Sequence, residues 1–194
     1  MRSVCNALLI VASFAPIVAS EASTAQSVNA EARAMVEFKE RVEVYAELHR
    51  KVEATLPKLP DSATQKQIDA HQRDFATRIA GARLDAKVGD LFTAPMQTEV
   101  RLLLQRLFET TESRRQLRDS IFDDNPSPSR IRLVVNARYP DEVPLSTMPP
   151  DVLRNLPALP TELEYRFVGE HLILFDKDAH IVVDYVMNAL PRPS

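Results

Sequence analysis

The stretch Leu163 to Val186, LEYRFVGEHLILFDKDAHIVVDYV, constrains this chain more than any other. Its apolar residues fall into three short alternating runs, interrupted at Gly169-Glu170 and at Lys177-Asp178. A period of two is the spacing of a β-strand. The pattern therefore predicts three antiparallel strands at 163–168, 171–176 and 180–186. Glycine at the first central position of the first turn supplies the positive φ that a tight hairpin needs there. Alternation then sorts the two faces. Leu163, Tyr165, Phe167, Leu172, Leu174, Ile181, Val183 and Tyr185 form one, and this apolar face is expected to meet the core. Glu164, Arg166, Val168, His171, Ile173, Phe175, His180, Val182 and Asp184 form the other, which is mixed and expected to be partly wet. A meander of this size cannot stand alone in water, so the N-terminal half is predicted to cover its apolar face.

That half reads as helical. Met35, Phe38, Val42, Tyr45, His49, Val52 and Leu56 step alternately by three and four, an apolar seam within a helix from about Ala30 to Leu56. Such a seam serves either a bundle core or a homodimer, and His49 on it reads as a half-buried packing residue. Leu56-Pro57-Lys58-Leu59-Pro60 stops the helix, since proline removes a donor and restricts the residue before it. Asp61 or Ser62 is expected to cap a second helix over 62–84, and a third is predicted over 94–109. A shorter fourth helix is expected from Thr111 or Ser113 to Phe122, burying Leu117 and Ile121. The helical part is thus placed at 30–122, as a hairpin or small bundle.

Residues 1–20 carry Arg2, an apolar run and small residues at Val18-Ala19-Ser20, the pattern of a secretory signal. Residues 21–29 are small and polar and are expected to form a disordered leader. No later run is apolar enough to span a membrane, so the mature protein is expected in the periplasm or outside the cell. Cys5, the only cysteine, lies within the expected signal, so the mature chain is predicted to have no disulfide, thiol nucleophile or thiolate metal site. The net charge of −3 and the interleaving of acids with bases give no basic surface for nucleic acid.

Ten of the fourteen prolines follow Asn125, which marks a change of architecture. Asn125 to Ser129 reads as a linker and Arg130 to Val135 as a fourth strand of the sheet. Pro149 to Leu156 reads as a short helix with proline at its start. The expected fold is α+β: an N-terminal helical hairpin or bundle packed with a C-terminal antiparallel meander of three to four strands. The β-rich part covers 130–190 and is expected to form one compact unit with the helices.

Three readings of function follow from the residues, led by a noncatalytic periplasmic interaction or structural protein. The segment Asn136 to Met148 is long and irregular, as functional loops often are. Asn136, Arg138, Tyr139, Asp141 and Glu142 make it the expected contact surface for an unidentified periplasmic protein or ligand, unless Arg138 and the acids instead pin the loop to the body. The second reading is a divalent transition metal. The expected register sets His171 opposite Asp184 and His180 opposite Phe175, with both histidines on the mixed face. A cross-strand His–Asp pair would look the same without a metal. The third is a hydrolase whose constellation is not apparent: there is no nucleophile elbow, Ser146 and Thr147 lie unmarked in the loop, and three glycines cannot make a phosphate cradle.

Four segments, YAELHRKVEATLPKLP (45–60), GDLFT (89–93), VNARYPDEVPLSTMPPDVL (135–153) and LPALPTELEYRFVGEHLILFDKDAHIVVDYV (156–186), resemble a family of exported bacterial proteins without an assigned activity. That resemblance implies fold and location. The leucine-proline step, Tyr165-Arg166, Gly169, Leu172 to Asp176 and Ile181 to Asp184 are also similar to the small β module of periplasmic proteins linked to nickel and cobalt homeostasis. This second resemblance implies a hairpin sheet and lends weight to the metal reading. It carries over no functional residue, and the second turn here lacks the glycine found in many such modules.

Overall fold

The computed structural model describes residues 19–108, 119, 121 and 131–191. The expected signal up to Val18, including Cys5, and the linker lie outside these residues, as does nearly all of the expected fourth helix. Three long helices, α1 (Ala19–Glu53), α2 (Gln65–Ala82) and α3 (Ala94–Leu107), precede a short α4 (Pro150–Asn155). Strands β1 (Leu163–Val168), β2 (His171–Asp176) and β3 (Ile181–Val186) form one antiparallel sheet in the order β1-β2-β3. The α+β architecture and the meander are as the alternation predicts.

Helix α1 begins eleven residues before the expected start, so residues 21–29 are helical rather than a disordered leader. Neither glycine nor proline occurs between Ala19 and Glu53, and alanine and glutamate recur throughout, so nothing local stops the helix. Its seam faces the chain's own core. Phe38, Val42, Tyr45 and His49 are buried, while Met35 and Val52 pack at the margin. Of the two uses expected for the Met35–Leu56 seam, this packing is that of a core within the chain. Helix α2 starts at a capping box, in which the Thr64 side chain accepts from the Gln67 N–H and the Gln67 side chain accepts from the Thr64 N–H. This reciprocal pair satisfies two free donors, and it places the start at Thr64 rather than at Asp61 or Ser62. Helix α3 opens with Pro95 in its first turn and buries Met96, Val100 and Leu104. Ile121 is buried in the same core. No helix among the described residues is long and apolar enough to cross a membrane.

The sheet departs from simple alternation at one point. Phe175 pairs with Val182 and Leu174 with Asp184, so Val183 is an extra residue in β3. A bulge of one residue reverses the facing of everything beyond it. Val186 therefore joins the helix-side core, and Tyr185 packs against the cluster on the opposite face. Asp184 follows the same rule and points to the helices rather than to the mixed face. The first turn holds Gly169 at φ 58°, as the hairpin requires.

The mixed face is partly covered: Glu164, Arg166, His171 and His180 stay half-exposed, while its apolar residues are closed over. Val168, Ile173, Phe175 and Val182 pack with the buried Tyr139, and Ile131, Leu133, Val143 and Leu145 close over them. The expected fourth strand at 130–135 is absent from the described residues, and the pairing lies further along the chain. Asn136 donates its N–H to Val182 O at 2.7 Å, Val182 to Ala137 O at 3.0 Å, and Tyr139 to His180 O at 2.9 Å. A turn at Asn136, with φ 62°, redirects the chain so that 136–139 reaches the β3 edge. Asparagine tolerates that backbone conformation better than most residues.

Candidate functional site

Two carboxylates lie on the helix side of the sheet, each with no solvent exposure. Asp184 is held by the connection between α2 and α3. Its Oδ1 accepts the Gly89 and Tyr185 N–H groups at 2.9 and 2.8 Å, and its Oδ2 accepts Leu91 and Phe92, both at 2.8 Å. Burial pushes its pKa up, and these four donors work against that shift. Gly89 has φ +90°, and a side chain there would be strained. Arg83 donates to the carbonyl of the bulged Val183 at 3.4 Å and to Asn136 Oδ1 at 2.6 Å, and lies 5.0 Å over the Tyr45 ring.

Asp176 ends β2 and joins α1 to the following turn. Its Oδ1 accepts the Asp178 and Ala179 N–H groups at 3.1 and 2.8 Å. Its Oδ2 accepts the Tyr45 hydroxyl at 2.6 Å and faces His49 Nδ1 at 2.7 Å. Tyr45 and His49 are one helical turn apart, so both reach the same carboxylate. Phe75 packs edge-on against the imidazole, with centroids 4.7 Å apart. On the other side of the ring, Nε2 lies 3.7 Å from Asp178 Oδ2. Burial works to lower the His49 pKa, but the Asp176 hydrogen bond and the charges of Asp176, Asp178 and Glu53 raise it on balance. The Tyr45 hydroxyl is pushed well up by burial and by Asp176. Burial, with Asp176 beside it, also raises Asp178. His49, Asp176 and Asp178 present ligand atoms within 4.8 Å of one another.

The residues expected as a metal set are not brought together. His171 pairs with Val168 across the first hairpin, and its Nδ1 accepts the Asn188 N–H at 2.9 Å. His180 precedes β3 at φ 56° and packs edge-on to Phe175 and Tyr139. Asp184 is turned to the opposite face by the bulge. The expected His171–Asp184 pairing is thus replaced by Leu174–Asp184. Burial lowers the pKa of both histidines, with Arg138 adding to the effect at His180.

The loop residues are bound to the body. Arg138 donates to Asp69 at 3.0 Å and Asp141 at 2.7 Å, and Arg73 reaches Asp141 at 3.2 Å. Asn136 bonds Arg83 in both directions, its Nδ2 donating to Arg83 O at 3.1 Å. Tyr139 is 1% exposed and donates to Pro144 O at 3.3 Å. Burial pushes its hydroxyl up to about 12. Glu142 is exposed. Ser146 is buried, donating to Phe167 O at 2.7 Å and accepting the Phe167 N–H at 2.9 Å. Its hydroxyl thus holds β1 and has no base beside it among these bonds.

An open groove of about 770 Å³ runs along α1 and is closed at one side by the α2–α3 connection. Val44, Leu48 and Leu91 give it apolar surface, and Glu37, Glu40, Arg41, Lys51 and Asp90 add charges of both signs. Val44 is 68% exposed.

From the sequence, Asp178 falls in the second turn and His49 reads as a packing residue, so neither is marked as part of a cluster. One signal for the cluster was present: Tyr45 and His49 are polar-tipped residues four apart on an otherwise apolar seam. Nothing in the sequence marks Arg83. Comparisons with protein-family models, with curated proteins and with solved structures return no match.

Proposed function

We propose that this is an exported, noncatalytic binding protein that receives a segment of a partner protein in the groove along α1. The observation that carries this reading is Val44, a large apolar side chain left exposed in a concave surface rimmed by both signs of charge. Grooves of this kind suit an amphipathic segment that lays apolar residues on the floor and pairs its charges at the rim. The engagement of the 136–148 residues within the chain moves the proposed contact surface from that loop to α1. Ser146, occupied by the β1 backbone, lends no support to a hydrolase. Export rests on the pattern of residues 1–20.

The test is site-specific photo-crosslinking from Leu48 in the native host, in chains with and without Val44→Glu. A discrete adduct that is lost with Val44→Glu and kept with Glu142→Ala supports the groove. An adduct that resists Val44→Glu but disappears with Glu142→Ala returns the contact to the loop. Recovery of the chain from the cytoplasm alone would remove the export part of the reading.

A further inference from the structure

We propose that His49 and Asp178 bind one divalent first-row transition ion, with Asp176 as the outer partner that orients the imidazole. This goes beyond the groove reading and involves a different surface. The His49 imidazole is 1% exposed, so both of its ring nitrogens need an account. Nδ1 faces Asp176 Oδ2 at 2.7 Å. An ionised carboxylate only accepts, so Nδ1 carries the proton, and the neutral ring has its lone pair on Nε2. Nε2 makes no hydrogen bond among the described residues. It faces Asp178 Oδ2 at 3.7 Å, too far for a hydrogen bond. Two ligands on one tetrahedral ion, with bonds of roughly 2.0–2.2 Å, lie about 3.3–3.6 Å apart. The His49–Asp178 separation is close to that spacing.

A metal-bound histidine that donates its other N–H to a carboxylate is a recurrent arrangement, which fixes the tautomer and raises the ligand's basicity. Asp176 is itself fixed by the Tyr45 hydroxyl and two backbone N–H groups. Asp178 is about half-exposed, with 48% of its side chain accessible, so an ion can enter from solvent. An imidazole beside a carboxylate suits zinc, nickel or cobalt better than calcium or magnesium, which favour oxygen-only sites.

The experiment uses the untagged purified chain, stripped with chelator and titrated with Co²⁺ by visible absorption, with Zn²⁺ as competitor. Saturation at one equivalent, displaced by Zn²⁺, is expected. Asp178→Asn is expected to weaken binding at least tenfold, and Asp176→Asn by roughly 10–100-fold. Asp178 is exposed enough for its variant to fold, and an unchanged unfolding midpoint in chelator verifies this. The double variant His171→Ala with His180→Ala is expected to bind as the parent does. Absence of a Co²⁺ spectrum overturns the proposal. So does parental affinity in Asp178→Asn, or loss of binding in the His171/His180 double variant.

Discussion

The two faces of one small sheet are closed by different means. On the helix side, Asp176 and Asp184 are fully buried among Phe38, Tyr45, Phe92 and Phe167. On the loop side, the cluster around Tyr139 and Phe175 contains no buried carboxylate among the described residues. Its charged groups, Arg138, Asp141 and Asp69, sit at the margin. The difference follows from what each cover can offer. A buried carboxylate is tolerated only where donors converge on it. The α2–α3 connection aims three N–H groups at Asp184, and α1 with the β2–β3 turn aims four donors at Asp176. The loop is itself anchored to β3 by its backbone, so its contribution is an aromatic plug and a few marginal ion pairs.

This comparison predicts a ranking of substitutions. Asp184→Ala is expected to cost most, about 3–5 kcal/mol by chemical denaturation, because it leaves buried N–H donors of the α2–α3 connection without an acceptor. Tyr139→Ala is expected to cost about 2–4 kcal/mol, chiefly through the cavity it leaves against Phe175. A Tyr139→Ala cost above that of Asp184→Ala would break the comparison. Tyr45→Phe should cost about 1.5–2 kcal/mol, since the bond it removes has an ionised acceptor. No loss there would mean that His49 and the turn satisfy Asp176 unaided. Arg138→Ala should cost only about 0.5–1 kcal/mol, as marginal ion pairs do.

The smallest effect concerns pH. Burial first, and Arg138 second, depress the pKa of His180, against the opposing charge of Asp141. The folded state therefore binds this proton less readily than the unfolded chain. Stability is lost as pH falls through the unfolded value of about 6.5 toward the depressed folded one. Asparagine tolerates the positive φ at this position. His180→Asn should accordingly flatten stability between pH 8 and pH 5, and an unchanged acid-side slope would assign the loss to another group.

Much of the architecture was legible. The meander follows from a period of two, and the α1 seam from a period of three and four, because both patterns directly record which side of an element is buried. The start of α2 was misplaced because several residues near Asp61 can cap, and only the reciprocal Thr64–Gln67 geometry decides among them. On the mixed face, Glu164, Arg166 and His171 alternate with apolar residues and stay half-exposed, but alternation cannot reveal the loop that covers the apolar ones. The expected metal set of His171, His180 and Asp184 is spread along the sheet: His171 opens β2 beside the first turn, and His180 precedes β3 at the opposite end. An extra Val183 reverses the facing of Asp184, and no local pattern in IVVDYV announces it.

By itself, the sequence determined the elements, their order and the apolar seams that had to meet. Those properties are local or periodic, so residues near one another in the chain suffice to specify them. Only the tertiary structure decided the bulge, the loop cover and the meeting of Tyr45 and His49 with Asp176. The contacts of Tyr45 and His49 with Asp176 join groups 131 and 127 positions apart, and the other two depend on how separate segments come together. Whether a carboxylate becomes a buried hub or a surface turn depends on which donors reach it, and those donors are brought there by folding.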